Sequence, residues 1–329
     1  MPRLHELPAP PPGTSGWPWT DSSATGARPE LSWPKISIVT PSYNQARFLE
    51  ATIRSVLLQD YPNVEYVVVD GGSTDGSVQI IQKYARWLTA WTSEPDRGQS
   101  DAINKGLAAC SGDVFNWLNS DDQLAPGALL QVGRRWSERS PHLLIGRGLV
   151  VDVISGATVH DWAARAPRKP LDFITHLRVV MPQPSTFLSR RHVQALGGVR
   201  EDLHYVMDWE LYLRLAVALR DELIAQTTPS LLSIATSHPA TKTNSAPWAF
   251  QMEAESVLRE LRPGLPRRER LRVARYLWTR HAERLVKAAR PAEASGFGRL
   301  LCLFARRPDL MTSRFFWGAV RRCAFASHS

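Results

Sequence analysis

The sequence predicts an α/β fold in which a mostly parallel sheet is flanked by helices and followed by a C-terminal helical extension. From Ile36 onward, short apolar runs alternate with segments of helical periodicity, and the connections between them are short. This alternation is typical of a parallel sheet that is covered on both faces. Each apolar run also ends in polar residues, so we expect a ligand site beyond the carboxyl ends of the strands.

Four apolar runs predict the strands of the first half of the chain: Ile36–Thr40, Val64–Val69, Leu88–Ser93 and Val114–Leu118. Apolar residues at helical spacing, beginning with Leu49, Ile80 and Ile103, predict the three helices between them. Ser73 or Asp75 is expected to cap the second of these helices. Before this region, residues 1–34 are rich in Pro, Gly, Ser and Thr, and this composition predicts a disordered leader.

The composition narrows the class of protein. The chain has 329 residues, of which 43% are hydrophobic, and this suits a soluble globular protein. Its three cysteines are scattered without metal-binding or disulfide spacing, which favours a reducing compartment. No apolar run has the length of a signal-peptide core or a transmembrane helix. We therefore expect a cytoplasmic protein.

Polar residues follow all four predicted strands: Pro41 to Asn44, Asp70 to Asp75, Asp96 with Asp101 and Asn104, and Asn119 to Asp122. The adjacent carboxylates of Asp121 and Asp122, at the end of a buried strand, repel each other and lose hydration. A divalent cation that also holds phosphate oxygens is a common compensation, although Asp and Asn also favour ordinary turns. The chain has no Gly-rich dinucleotide or P-loop motif and no Gly-x-Ser-x-Gly motif, which leaves a metal to neutralise phosphates.

Four ordered segments resemble the family 2 glycosyltransferases with the GT-A fold: residues 34–44, 69–75, 93–104 and 117–122. The resemblance covers about residues 34–240. It implies a nucleotide-sugar donor (usually a UDP-sugar), a divalent Mn²⁺ or Mg²⁺ ion, and inversion at the anomeric carbon. It also divides a domain at 35–245 into a donor half, 35–127, and an acceptor half, 128–245.

The resemblance assigns roles to the polar strand ends. Pro41 and Tyr43 would line the base pocket, and Asp70 would lie against the nucleoside. The other donor-binding residues are expected to be Asn44, Asp96, Asp101, Asn104 and Asp121. Asp122 is the expected metal ligand, with Asp121 beside it. Many family members have a second aspartate where this chain has Gly71, so the base remains open.

The second half of the chain carries the expected acceptor side. Apolar runs predict strands at Leu143–Val151 and Ala157–Trp162, and an amphipathic helix begins near His204. Asp208 lies in the first turn of that helix, where the helix dipole favours a carboxylate whatever its function. The resemblance makes Asp208 the catalytic base, with Asp202 and Glu210 as alternatives.

The resemblance also assigns residues to the acceptor and the phosphates. Gln183, Thr186 and Trp209 are expected to contact the acceptor. His238 is expected to contact the phosphates or the metal, and Lys242 the phosphates. These assignments predict sugar transfer to a hydroxyl of a saccharide or lipid-linked acceptor in cell-surface polysaccharide or glycolipid synthesis.

Residues 246–329 predict a basic, amphipathic helical region, with segments at Phe250–Leu261, Arg267–Arg290, Phe297–Ala305 and Met311–Phe325. Between Arg259 and Arg322 there are 17 basic and 5 acidic residues, an excess greater than the +9 of the whole chain. Such helices can bind an anionic membrane surface, here the inner face of the plasma membrane, or can cap the domain with a solvated basic face.

Two other functions fit parts of the sequence. A nucleotidyltransferase of sugar phosphates shares a nucleotide-binding sheet and a metal, but it would carry a basic, Gly-rich loop after the first strand. A nucleic-acid-binding protein fits the net charge, but no recognition motif supports it, and we expect no nucleic-acid partner.

Overall fold

The computed structural model describes residues 2–23, 32–167, 172–173, 180–238, 241 and 247–288, and the single residues 303, 305, 317 and 318. Its strands are β1 (Ile36–Ser42), β2 (Val64–Asp70), β3 (Ala90–Ser93), β4 (Val114–Trp117), β5 (Gln123–Leu124), β6 (Leu143–Asp152), β7 (Thr158–Trp162), β8 (Thr186–Ser189) and β9 (Ala225–Ser237). Its α-helices are α1 (Ala46–Leu57), α2 (Ser77–Tyr84), α3 (Gln99–Ala109), α4 (Ala128–Arg139), α5 (Arg190–Ala195), α6 (Met207–Leu219), α7 (Pro247–Leu261) and α8 (Arg267–Ala288).

The described strands form one mixed sheet in the order β3-β2-β1-β4-β8-β6-β9-β5, and β7 pairs with β6. The pairs β1–β2, β2–β3 and β1–β4 are parallel, so the carboxyl ends of four strands meet at one edge, as predicted. Beyond β4 the pairing is antiparallel except between β6 and β9. The α/β sheet flanked by helices is therefore confirmed, and its parallel part is the first half.

The parallel strands owe their place in the sheet to apolar side chains on both faces. All seven residues of β1 are buried, and β2 is buried from Glu65 onward. A strand with helices on both faces has no solvated side, and this accounts for the continuous apolar runs of the sequence. The helix α1 buries Leu49, Ile53 and Val56, the positions that its periodicity predicts.

Residues 2–23, which the sequence predicts to be disordered, instead pack against the domain. The buried Arg54 of α1 explains much of this packing. Its guanidinium donates hydrogen bonds to the carbonyl oxygens of Pro8 (2.9 Å), Pro18 (3.0 Å) and Trp19 (3.0 Å). The indole of Trp17 donates to the carbonyl of Leu124 at 2.9 Å. A Pro-rich segment lacks a core of its own, and here a buried cation on the neighbouring helix holds it.

Four elements of the second half have no counterpart in the predicted pattern: α4, β8, α5 and the 13-residue strand β9. In β9, Pro229 and several polar residues interrupt the apolar alternation, and only Thr228, Leu232 and Ser233 are buried. Its length comes from pairing along β6 from Leu143 to Asp152, which local sequence does not reveal.

The chain divides into two compact units, Met1–Glu253 and Ala254–Ser329, and the division lies inside α7. In the second unit the buried carboxylate of Glu255 pairs with Arg259 and Arg284. Helix α8 buries Val273 and Ala282, whereas Leu271 is exposed. The predicted helices at 297–305 and 311–325 lie almost wholly outside the described residues. Within the described part of the chain, every helix is too short or too polar to cross a membrane.

Candidate active site

The turn after β4 carries the two adjacent aspartates. Asp122 is buried, its Oδ1 accepts from the backbone N–H of Thr236 (3.3 Å), and its Oδ2 accepts from the Asn119 amide (3.2 Å). Burial raises the pKa of Asp122 well above its usual range, and the charge of Asp121 raises it further. A negative charge on Asp122 is therefore disfavoured at this turn.

Two other elements hold this turn. The hydroxyl of Thr52, buried on α1, donates to the carbonyl oxygens of Ser120 (2.9 Å) and Asp122 (2.7 Å). After β9, His238 places its Nε2 3.2 Å from Oδ2 of Asp121, and its ring stacks on Phe48 at 5.1 Å. The structure thus brings together Asp121, Asp122 and His238, as predicted, whereas Lys242 lies outside the described residues.

The side chains of Asp121, Asp122 and His238 suit a hard divalent cation only if further oxygen ligands complete its coordination. No group of three or more His, Cys, Asp or Glu side chains among the described residues could hold a metal ion. Mg²⁺ and related ions are commonly held by one or two carboxylates together with substrate phosphates. A cation beside the two adjacent carboxylates would offset their mutual repulsion. The residues therefore fit a metal that is bound together with a phosphorylated ligand.

Asp70, at the end of β2, is fully buried and has its hydrogen bonds supplied by the protein. Its Oδ2 accepts from the backbone N–H groups of Gly72 (3.1 Å) and Ser73 (2.8 Å) and from the Ser93 hydroxyl (2.7 Å). Its Oδ1 accepts from the Ser73 hydroxyl at 2.6 Å. This carboxylate braces the loop after β2, which is where the predicted nucleoside contact lies.

The end of β1 contributes one exposed ring and one bridge between loops. Tyr43 is 61% exposed, as a stacking platform requires, and Pro41 is buried in the strand. Asn44 adopts a left-handed backbone (φ 52°); its N–H donates to the Ser73 hydroxyl (2.7 Å), and its Oδ1 accepts from the N–H of Thr74 (2.9 Å). Asn44 therefore ties two loops together.

Asp96 lies directly against Gly71. A Cβ atom added to Gly71 would be 2.8 Å from Oδ2 of Asp96, so any side chain there would displace this carboxylate. The Oδ1 atom of Asp96 accepts from the N–H of Gly98 at 2.8 Å. The missing second aspartate after β2 is thus matched by a carboxylate that reaches the same place from the loop after β3.

Asp101 and Asn104 on α3 serve contacts within the protein. Hydrogen bonds from Arg97 lower the pKa of Asp101 to about 2. Asn104 accepts from the N–H of Val199 (2.9 Å) and donates to the Val199 carbonyl (2.9 Å) and to Glu201 (3.3 Å). Both polar groups of Asn104 thus contact the segment before α6, and its contact with the donor stays a prediction.

The predicted acceptor residues separate into two kinds. Gln183 donates to the Trp117 carbonyl (2.7 Å), and its Oε1 lies 3.4 Å from the Asn119 amide, beside the aspartate turn. Thr186 is buried and its hydroxyl donates to the Pro182 carbonyl at 2.8 Å, and its contact with the acceptor stays a prediction. Its side chain is committed to the start of β8. Trp209 lies next to Asp208 in α6.

Asp208 begins α6 half-buried, and its Oδ1 accepts from the N–H of Trp209 at 2.7 Å. One turn on, Tyr212 is buried and stacks on Trp117 at 6.5 Å. Burial, and then the charge of Asp208, raise the pKa of Tyr212 well above its usual value. Because Trp117 ends β4, these contacts bring the first turn of α6 towards the aspartate turn.

The two alternatives to Asp208 are engaged in ion pairs. Asp202 is exposed and pairs with Arg200 at 2.5 Å, and this hydrogen bond lowers its pKa. Glu210 is buried and accepts from two nitrogens of Arg214, at 2.9 and 2.8 Å. Each of these two carboxylates therefore has an arginine partner within the protein.

Sequence reasoning missed three residues that build this edge: Thr52, Phe48 and Gln99, whose amide donates to Asn119 Oδ1 at 2.7 Å. A polar residue on the buried face of α1 was the available signal for Thr52. Phe48 and Gln99 acquire their contacts only through the tertiary structure.

The comparisons agree with this fold. A family model for glycosyl transferase family 2 matches residues 37–195. An uncharacterized glycosyltransferase of Mycobacterium tuberculosis is 31% identical over 192 residues, which are 56% of this chain and 70% of the relative. The protein is therefore a sugar-transferring enzyme, and the chain belongs to glycosyltransferase family 2.

Solved structures extend the agreement to the fold. S. aureus TarS, solved with UDP-GlcNAc, has a TM-score of 0.63 at 18% identity and covers 88% of this chain and 92% of its own. The mannosyltransferase PcManGT of Pyrobaculum calidifontis, solved with GDP-Man and Mn²⁺, has a TM-score of 0.56 at 19% identity, with coverages of 89% and 85%. These likenesses confirm the GT-A fold.

Proposed function

We propose that this enzyme is a metal-dependent, inverting glycosyltransferase that moves a sugar from a nucleoside-diphosphate sugar to a hydroxyl group. The observation that carries the proposal is the buried Asp122, which has a raised pKa beside Asp121 and His238. A cation and a diphosphate satisfy this turn together, and nucleotide sugars supply the diphosphate. A UDP-sugar is the proposed donor.

On the donor side, Asp122 and Asp121 would hold the divalent ion, and His238 would contact the ion or the phosphates. When bound, the ion would stabilise the negative charge that develops on the leaving diphosphate. Tyr43 presents its exposed ring to the base. Asp96, against Gly71, supplies a carboxylate acceptor near the base and nucleoside. TarS was solved with a UDP-sugar and PcManGT with a GDP-sugar, so fold alone does not fix the base.

On the acceptor side, Asp208 takes the proton of the attacking hydroxyl. The acceptor oxygen forms its bond to the anomeric carbon as the bond from that carbon to the diphosphate breaks, and attack from the opposite face inverts the centre. Gln183 and Trp209 lie where they can contact the acceptor, since each adjoins a residue of the proposed site.

The names of relatives suggest the pathway class. The putative teichuronic acid biosynthesis glycosyltransferase TuaG of Bacillus subtilis is 38% identical over 93 residues, which are 27% of this chain and 37% of the relative. A saccharide or lipid-linked acceptor in cell-surface polysaccharide or glycolipid synthesis is therefore the proposed class. The basic region after Arg259 is proposed to bind anionic membrane. A chain ending at residue 262 should then no longer sediment with anionic liposomes, and equal sedimentation would leave the region as a helical cap.

The test of the proposed mechanism is Asp208→Asn. The amide keeps the volume and cannot accept a proton, so transfer should fall by about 10²–10⁴-fold, the usual range for a general base. Donor affinity, measured by titration of UDP in the presence of Mn²⁺, should stay nearly unchanged. Near-normal transfer would exclude Asp208 as the base.

A further inference from the structure

A single carboxylate holds the backbone that leads into α6. Oε1 of Glu253, on α7, accepts from the N–H of His204 at 2.8 Å. Its Oε2 accepts from the N–H groups of Tyr205 (2.7 Å) and Val206 (2.8 Å). Three successive backbone donors thus converge on one side chain that lies almost fifty residues later in the chain. Consecutive N–H groups that point to one side form an anion-binding nest, which Glu253 fills.

The start of α6 depends on this contact because its own sequence supplies no cap. The residue at the N-cap position is Val206, whose side chain cannot accept a hydrogen bond. The same helix α7 adds an apolar contact, since Phe250 packs its ring 5.1 Å from that of Tyr205. A separate contact comes from α3, where the Ser100 hydroxyl donates to the sulfur of Met207 at 2.9 Å. Residues 204–207 are therefore contacted by both α7 and α3.

We propose that Glu253 is a positioning residue for the transfer reaction, which acts by fixing the backbone two residues before Asp208. This inference rests on the proposed function, in which Asp208 is the base. A base must lie within hydrogen-bond reach of the hydroxyl it deprotonates, and a shift of about 1 Å can cost about 100-fold in rate. Release of three N–H anchors lets the first turn of α6 shift, while the hydrogen bonds given above for Asp121 and Asp122 do not involve Glu253.

The experiment compares Glu253→Gln with Met252→Ala, a change at the neighbouring exposed position of α7. Gln keeps the volume of Glu253 but turns an NH₂ group towards backbone donors. We expect transfer turnover to fall by about 10–100-fold in Glu253→Gln, with UDP affinity in Mn²⁺ close to that of the unchanged protein. The melting temperature should fall modestly, because the backbone donors of residues 204–206 lose part of their hydrogen bonding. Met252→Ala should behave as the unchanged protein does. If Glu253→Gln does not fold, Glu253→Asp, which keeps the charge and shortens the reach, is measured in the same way.

A double-mutant cycle separates positioning from general structural support. If Glu253 acts through Asp208, then Glu253→Gln should change turnover by less than about threefold when Asp208→Asn is already present, because the two residues then act as one unit. Full turnover in Glu253→Gln, or additive losses in the cycle, would overturn the inference while leaving Asp208 as the base. Normal turnover in Asp208→Asn alone would instead overturn the proposed function, and the inference with it.

Discussion

Asp70 and Asp122 follow parallel strands at the same edge of the sheet, and their surroundings differ. Asp70, after β2, accepts four hydrogen bonds from Gly72, Ser73 and Ser93. Asp122, after β4, is also buried, but it accepts only two longer ones, and its carboxyl pKa is raised by burial and by Asp121. Both are aspartates that follow an apolar strand, so the difference lies in the loops around them.

We propose that the two aspartates differ in function: Asp70 supports the fold, and Asp122 takes part in ligand binding. The charge of Asp70 is satisfied within the protein, which makes it a brace for the loop that leads to α2. The charge of Asp122 is compensated only poorly, which makes it costly for the isolated chain and favourable towards a cation. A buried charge without compensation is common at functional sites, because stability is lost there in exchange for ligand affinity.

The largest expected effect that tests this comparison is that of Asp122→Asn on donor binding. The amide keeps the volume of the side chain but removes the anionic metal ligand. Changes to residues that only support a metal ligand cost about 10–100-fold in affinity, so loss of the ligand itself should lower metal-dependent UDP affinity by more than about 100-fold. Calorimetric titration of UDP with and without Mn²⁺ measures this. Unchanged UDP affinity in Mn²⁺ would remove Asp122 from the metal site.

The same variant carries a stability signature in the metal-free protein. Because the folded-state pKa of Asp122 is raised, its contribution to stability is fully present below the unfolded pKa and is lost as pH rises through the folded value. Asn carries no such charge. The melting temperature of Asp122→Asn relative to the unchanged protein, in a chelator, should therefore increase from about pH 4 to pH 8. A flat difference would contradict the raised pKa.

An effect of intermediate size is expected for Asp70→Asn, and it concerns the free energy of unfolding. Asn there would turn its NH₂ group towards donors of the loop, leaving buried polar groups unpaired at a cost of about 1–3 kcal/mol in the free energy of unfolding. Urea unfolding of the two variants side by side measures the contrast: Asp70→Asn should be destabilised and Asp122→Asn should not. Equal destabilisation would mean that both aspartates are braces.

The sequence predicts the parallel half of the fold because its determinants are local. The continuous apolar run of β1 and the spacing of Leu49 and Ile53 in α1 contain the information needed for both elements. The cap of α2 was predicted less well: its N-cap is Gly76, and Asp75, one of the two predicted caps, lies one residue earlier and accepts from the N–H of Ser77 through its Oδ1 (3.0 Å). By contrast, β9 depends on pairing with a strand some eighty residues earlier, and only tertiary structure reveals that.

The candidate site shows the same division between local and non-local information. The Asp121–Asp122 turn can be predicted from the sequence because two adjacent acidic residues follow an apolar run. The contacts of Asn104 and Thr186 cannot be predicted in this way, because the sequence does not show whether an amide or hydroxyl faces a ligand or a distant carbonyl. For Asn104 the partner is Val199, 95 positions away. Composition cannot place that contact.

The smallest expected effect is that of Thr52→Val, which tests how α1 supports the aspartate turn. The Thr52 hydroxyl is buried and donates to the carbonyls of Ser120 and Asp122, and Val replaces it with a methyl group of similar size. The lost hydrogen bond should lower the free energy of unfolding by about 1 kcal/mol. Because the turn also orients the Asp122 carboxylate, metal-dependent UDP affinity should fall by about threefold to tenfold, near the lower end of the range for partners that support a metal ligand. Thr52→Ser keeps the donor and should retain most of the affinity. If Val and Ser variants bind UDP equally in Mn²⁺, the hydroxyl supports the fold and not the site, and the turn is held well enough by its contacts to Thr236 and Asn119.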